Sequence, residues 1–242
     1  MRAIVAYDGS GFHGWARQPG LRTVEGELSA VAGPRLVVAG RTDRGVHADA
    51  NVISWDDERP RTAGELNGRL PADLAAIRCE IAEPGFDARA DARSRSYVYR
   101  ILNRRAPDPR WRRFELHHPR PLDEGLLGAC AEVIRGRHDF RAFTPSETQH
   151  VHFERTVLEA RWVREGDRLT FQLTADALLR HMVRILVGTM LEAPDPDRLS
   201  DLLAGAPRSA AGRTAPPHGL TLAGVSYDGW SSSAVTSSAG RS

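Results

Sequence analysis

Residues 156–175 read TVLEARWVREGDRLTFQLTA. Thr156 to Arg164 and Leu169 to Ala175 are β-compatible runs, and Glu165-Gly166-Asp167-Arg168 between them reads as a four-residue hairpin turn. Two strands joined so closely must be antiparallel, because a parallel neighbour needs a crossover of roughly a dozen residues or more. The stretch therefore decides against a doubly wound parallel sheet. Outward from it, Ile4 to Tyr7, Leu36 to Ala39, Val52 to Trp55, Ala75 to Ile81 and Tyr97 to Leu102 are further strand-like runs. Helical patterns stand between them. Val24 to Ala30 is short, and Asp123 caps a helix carrying Leu126, Leu127, Cys130, Val133 and Ile134 on one face, with Gly136 as its stop. Another is expected from a cap near Asp176 through Leu178, Leu179, Met182, Val183, Leu186 and Met190, and a third spans Asp197 to Ala204, ended by Gly205. Strands mixed with helices, and hairpins where strands are adjacent, predict an α+β architecture. Two domains are expected, 1–92 and 93–230. The Ser-rich stretch 231–242 has too few large apolar groups to offset ordering and is expected to be disordered.

At 242 residues, with 41% hydrophobic and 26% charged, the chain is long enough to bury a core without staples. No apolar run approaches the roughly 20 residues of a spanning helix, and no export signal follows Met1, so a cytoplasmic protein is expected, with no membrane partner. Cys79 and Cys130 form no CxxC pair and are expected to fill space.

Net charge is only +2, but its distribution is uneven. Between Arg89 and Arg120 ten arginines stand against three acids, Asp91, Asp108 and Glu115, a local excess suited either to a phosphate backbone or to a solvated face. Every basic residue is Arg and none is Lys, which codon bias explains as well as function does.

The sharpest local feature is Ala39-Gly40-Arg41-Thr42-Asp43-Arg44-Gly45-Val46-His47-Ala48. Its two glycines allow tight backbone and close ligand approach to Asp43, while Arg41 and Arg44 put positive charge near the carboxylate. Cations favour the ionised form, which suits a nucleophile; an ordinary turn with Asp43 capping its own backbone fits the same residues.

With these residues the chain resembles the tRNA pseudouridine synthases of the TruA type, whose catalytic signature looks like GRTDRGVHA. The resemblance recurs in order over residues 2 to 228: Tyr7-Asp8-Gly9, Gly14-Trp15, Thr23-Val24-Glu25-Gly26, Leu66-Asn67 with Leu70-Pro71, Phe86-Asp87-Ala88-Arg89, Arg95-Ser96-Tyr97-Val98-Tyr99, Gly136-Arg137-His138-Asp139-Phe140, Arg180-His181-Met182-Val183-Arg184 and Gly219-Leu220. It implies two ferredoxin-like domains joined through a central, mostly antiparallel sheet, with the active-site cleft between them. It also implies Asp43 as nucleophile, Tyr97 stacked on a flipped uracil and moving a proton late, Arg184 paired with the aspartate, and Leu220 packed beneath the base. Arg41 is the candidate for holding the extruded backbone. Uridine isomerisation gains and loses nothing overall, so no cofactor and no metal is required. The expected partner is tRNA, at uridines 38 to 40 of its anticodon arm, rather than DNA, with the protein a homodimer; the arginine cluster then reads as a tRNA track.

The chain also departs from the family pattern. Arg44 stands where a small residue is usual, Ala16 where a glutamine is common, the segment Leu28 to Val37 is shorter, and the loop Thr144 to Phe153 lacks arginines found in some relatives. Other chemistries are weaker. His138-Asp139 with His150 and His152 has no supporting carboxylate cluster for a metal hydrolase, Ser10 and Ser94 lack a triad, and a P-loop is impossible without lysine. A non-catalytic tRNA-binding protein is the remaining alternative, and it predicts loss of Asp43, Tyr97 or Arg184, all of which are present.

Overall fold

The hairpin at 156–175 forms with a tighter turn than the sequence suggests. The computed structural model, which describes residues 1–57 and 59–233, pairs Glu165 directly with Arg168, so Gly166 and Asp167 alone make the turn. Gly166 adopts φ +58, the left-handed conformation a two-residue hairpin needs at its first central position. The four-residue turn is thus corrected, because such a turn matches the strand twist and lets pairing run to its edge.

In chain order the first elements are β1 (Arg2–Tyr7), α1 (Val24–Ala32), β2 (Val37–Val38), β3 (His47–Ser54), α2 (Ala63–Asn67) and β4 (Leu74–Glu80). Then come β5 (Ser94–Leu102), β6 (Leu116–His117), α3 (Glu124–Val133), β7 (Gly136–Asp139), β8 (Glu154–Glu165) and β9 (Arg168–Ala175). The last are α4 (Met182–Glu192), α5 (Pro196–Leu203), β10 (Leu220–Tyr227) and β11 (Trp230–Ser231). Strand pairing is mostly antiparallel, in agreement with the α+β expectation. No helix among the described residues is long and apolar enough to cross a membrane.

The chain divides into two compact units, one of Met1–Arg95 with the described residues from Thr221 onward, the other of Ser96–Leu220. In the first, β1 lies antiparallel to β3 and to β4, with Ile4 opposite Val52 on one side and Arg78 on the other. Val5, Ala50, Val52 and Ile53 are wholly buried, and Phe12, Trp15, Leu28 and Leu66 complete this core. Thr23 caps α1 by accepting from the Gly26 N–H. Thr62 and Glu65 form a reciprocal capping box on α2, a helix too short to show periodicity in sequence. Beyond it the Asn67 amide donates to the Ala76 carbonyl and accepts from the Ala76 N–H, filling both hydrogen-bonding groups of one β4 residue.

The observed units differ from the boundaries 1–92 and 93–230. β10 runs parallel to β3, Thr221 opposite His47 and Leu222 opposite Ala48, so the end of the chain returns to the first unit. A parallel partner so distant in sequence leaves no local mark. The expectation of disorder is corrected at residues 231 and 232. Ser231 pairs with Ser226, and Ser232, fully buried, donates its hydroxyl to the Ala50 carbonyl and accepts from the Val225 N–H. Residues 234–242 lie outside the described residues.

In the second unit β7 adds antiparallel to β8, with His138 opposite Arg155, and β6 runs parallel to β5. Asp123 caps α3, whose buried residues are Leu127, Cys130 and Ala131, while Leu126 is exposed. Cys130 is buried as expected, and burial pushes the Cys79 thiol up to about 11, so neither is a ready thiolate. The helix expected from Asp176 begins instead at Met182. The Asp176 carboxylate accepts from the Thr156 and Ala177 N–H groups, and His181 adopts φ +62, ψ 1, which ends any helical path before it. Asp195 caps α5, with Pro196 in its first turn.

A backbone clasp holds α4 to the segment 211–216. The Thr189 hydroxyl donates to the Ile185 carbonyl and accepts from the Gly212 N–H, and a Cβ at Gly188 would lie 1.8 Å from the Arg213 carbonyl oxygen. Gly188→Ala is therefore expected to lower unfolding free energy by about 1–3 kcal/mol, the usual cost of overpacking, measured by urea denaturation.

Candidate active site

The loop joining β2 to β3 carries Arg41, Asp43 and Arg44, and its shape is set by what grips it. β2 ends at Val38 after two residues. The Ala39 N–H bonds the Val52 carbonyl, and the Ala39 carbonyl accepts from Arg95 Nε at 3.0 Å. Arg95 also donates to the Ala92 and Arg89 carbonyls, so its guanidinium ties the loop before β3 to the loop before β5.

The next residues rest on a buried polar cluster. The Tyr7 hydroxyl and Thr42 Oγ1 are 2.9 Å apart. Asn51 Nδ2 donates to the Tyr7 oxygen at 3.2 Å and to the Gly40 carbonyl at 2.8 Å, while its Oδ1 accepts from the Val52 N–H. Asn51 is 0% exposed, and its bonds to Tyr7 and Val52 are made away from water, where an unpaired partner is costly. Burial pushes the Tyr7 hydroxyl up to about 12, against its bonds with Thr42 and Asn51. The loop is thus held by neutral groups that keep their protons.

Two glycines let a neighbouring segment press against Asp43. Gly14 adopts φ +91, and a Cβ there would stand 3.1 Å from the Thr42 carbonyl oxygen and from the Arg44 nitrogen; the adjacent Trp15 N–H donates to that carbonyl at 3.0 Å. A Cβ on Gly9 would fall 2.0 Å from the Val46 carbonyl oxygen, and the Gly9 N–H donates to His47 Nδ1. Within the loop the Val46 N–H bonds the Asp43 carbonyl, with Gly45 at φ +79. The turn is closed through Asp43's backbone. Asp43 is half-buried, while Arg41 and Arg44 are exposed. Arg44, which would crowd a pocket if turned inward, is directed to the surface.

Tyr97, Arg184 and Leu220 belong to the second unit, whereas Asp43 and Arg41 belong to the first. Tyr97 is buried on β5, on the same face as Tyr99 and Ile101. Arg184 lies in the first turn of α4, where Nε donates to the Ala215 carbonyl at 2.9 Å and its own carbonyl accepts from the Ala215 N–H. One residue on, the Pro216 carbonyl accepts from the Tyr99 hydroxyl at 2.8 Å. Gly219 has no room for a side chain, since its Cβ would stand 2.7 Å from the Tyr99 ring, and Leu220 follows it, buried. Burial also raises the Tyr99 hydroxyl, partly offset by the Arg184 charge. Arg184 and Leu220 are therefore held by one short segment, Ala215 to Gly219, stitched to α4 and β5.

The motifs contain Tyr7, Thr42 and Arg95 without showing that they support this arrangement, and they leave out Asn51. The signal at Asn51 was an amide set within the apolar strand residues Ala50 to Ile53, which demands a partner. His138 and Asp139 have local roles: His138 Nε2 bonds the Arg135 carbonyl and Asp139 accepts from the Arg141 N–H. Among the described residues no group of three or more His, Cys, Asp or Glu side chains could hold a metal ion.

Comparisons agree along the chain. The sequence profile described as tRNA pseudouridine synthase matches residues 130–228. The tRNA pseudouridine synthase A of Moorella thermoacetica is 40% identical over 244 residues, covering 94% of this chain and 99% of that one. That of Bacillus subtilis is 36% identical over 244 residues, with coverage of 94% and 99%, and that of a Methylobacterium is 39% identical over 242 residues, with 93% and 96%. A chain from the crystal structure of a Cbf5-Nop10-Gar1 complex aligns at 12% identity and TM-score 0.40 over 92% of this chain, which spans about half (48%) of that chain.

Tyr7→Phe strips the shared hydroxyl from Thr42 and Asn51 and is expected to cost about 1–3 kcal/mol of stability at neutral pH, read by urea denaturation. The alkaline response supplies a second check. Tyr7 ionises at about 12 in the folded chain against 10.0 ordinarily, so its contribution is full below about pH 10 and is lost as pH rises toward 12. Tyr99 and Tyr227 are also raised and share this loss. Between pH 10 and 11.5 the urea midpoint of Tyr7→Phe should fall less steeply than that of the wild type.

Proposed function

The chain belongs to the tRNA pseudouridine synthase A family, and on that premise we propose that it converts uridine to pseudouridine in tRNA with Asp43 as the nucleophile. The observation that carries the assignment is the grip on Asp43: a half-buried carboxylate between two exposed arginines, on a loop fixed by the Tyr7, Thr42 and Asn51 cluster. A nucleophile needs fixed placement, and this grip supplies it.

The reaction breaks the N1–C1′ bond, turns the uracil and forms C5–C1′. The proton leaving C5 is balanced by one gained at N1, so substrate and product have the same composition. In this reading the uridine leaves its stack, Asp43 attacks it, Tyr97 stacks on the uracil and its hydroxyl helps move the C5 proton, and Leu220 packs beneath the base. Arg184 pairs with the Asp43 carboxylate. Its hydrogen bond to the Ala215 carbonyl supports that role by fixing the guanidinium against the segment that follows α5. Arg41, exposed beside Asp43, holds the phosphates of the extruded nucleotide. The family's fold is read here as two ferredoxin-like halves. The target is uridines 38 to 40 of the anticodon arm, and the protein works in the cytoplasm as a homodimer.

Asp43→Asn is expected to reduce pseudouridine formation in unmodified tRNA transcripts by at least about a thousandfold. Its dissociation constant for tRNA should stay within about threefold, because phosphate contacts supply most of the affinity. Pseudouridine mapping with and without the substitution checks both reaction and site. Modification by the variant at the wild-type rate would refute the nucleophile, and modification elsewhere than 38 to 40 would refute the target. Sedimentation at micromolar concentration tests the dimer.

A further inference from the structure

The arginine cluster of residues 89–120 is not uniformly available to a ligand. Arg93 pairs with Asp228 at 2.6 Å, and Arg95 is tied to three carbonyls. Arg104 reaches Asp167 at 3.3 Å. Arg110 closes on Asp108 through Nε at 3.0 Å and a terminal nitrogen at 2.8 Å, holding that carboxyl down to about 2. Arg105 and Arg112, by contrast, are exposed, and Arg112 reaches only as far as the Pro109 carbonyl two peptide units back, at 3.3 Å.

Beside them stands Trp111, 46% exposed. Of the five tryptophans it is the exposed one; Trp15 and Trp55 are buried, Trp162 and Trp230 half-buried. Its backbone is part of a tight turn, with its N–H on the Asp108 carbonyl and its carbonyl accepting from the Phe114 and Glu115 N–H groups. The ring is braced as well. The Phe114 edge meets it at 6.4 Å, and the Arg168 guanidinium stands 5.5 Å from its centroid, itself held by the buried Glu115 carboxylate at 2.5 Å. An indole presented on a rigid turn has lost its freedom before any ligand arrives, which lowers the cost of stacking on it.

We propose that the turn at residues 104–113 is an RNA-contact surface in which Trp111 stacks on an unpaired nucleobase while Arg105 and Arg112 meet the flanking phosphates. Charge points to RNA: residues 104–113 carry five arginines against the one acid Asp108. A lone π-face among cations fits any base and is the pattern of sequence-tolerant binding to unpaired nucleotides. The proposal rests on tRNA being the ligand and adds where on the second unit it is touched.

The test uses the full chain, an unmodified tRNA transcript, tryptophan emission and filter binding. Transcript should quench wild-type emission, and Trp111→Phe should abolish that part of the quenching while binding within about threefold of wild type. Trp111→Ala should weaken binding about 5- to 50-fold, with melting temperature and circular dichroism as fold controls. Arg105→Ala with Arg112→Ala should flatten the slope of log K against log salt by about 1 to 2. Wild-type affinity in Trp111→Ala overturns the proposal. So does a change in Trp111 emission that follows protein concentration without RNA, which makes a second copy the occupant. Absence of transcript binding by the wild type would instead overturn the tRNA reading itself.

Discussion

The hydroxyl of Tyr7, shared between Thr42 and Asn51 in a buried interior, is the contact on which the placement of the Asp43 loop depends. The three residues of this contact come from three different elements: Tyr7 from β1, Thr42 from the loop before β3, and Asn51 from β3 itself. A loop of eight residues has far more conformations than a fixed placement of Asp43 tolerates, and loop ordering is costly. Here that cost is met by strands already locked by hydrophobic burial, with Val5 and Val52 wholly inaccessible beside the polar cluster. The arrangement is a polar network fully satisfied inside an apolar frame, which makes it specific as well as stable. Gly9 and Gly14 matter for the same reason, since any side chain there would push the loop off its support.

The second unit solves a similar problem with backbone rather than side chains. Arg184 exchanges hydrogen bonds with Ala215 through both its carbonyl and its guanidinium, and Gly188 and Gly212 let the two segments come within contact distance. Tyr99 completes the clasp by reaching the Pro216 carbonyl. A long flexible cation is thereby held at its base and at Nε, and the positions of Arg184 and Leu220 become linked through one five-residue segment.

Much of this was legible in the order of residues, and what was not has physical reasons. Alternation in Leu169 to Ala175 marked a strand, and Asp123 and Gly136 marked the two ends of a helix, because those signals are local. The helix expected from Asp176 failed locally too: its apolar spacing continued, but the carboxylate had a better use on the Thr156 and Ala177 N–H groups, and His181 turned the chain. The parallel pairing of β10 with β3 was invisible because its partners lie more than 170 residues apart. At the site, Asp43 stood out by its charged neighbours, whereas Tyr7 and Asn51 looked like ordinary strand residues until their three-dimensional company was known.

β4 pairs with β1 along one side, and along the other Asn67 occupies both the N–H and the carbonyl of Ala76. Ile77 and Ile81 nearby are exposed, so an uncapped β4 would offer both free ladder groups and apolar side chains to any extended chain passing by. One amide side chain imitates the missing neighbour at a single rung. It interrupts the row of free ladder groups along which edge strands template one another, one of the ways natural sheets blunt their edges.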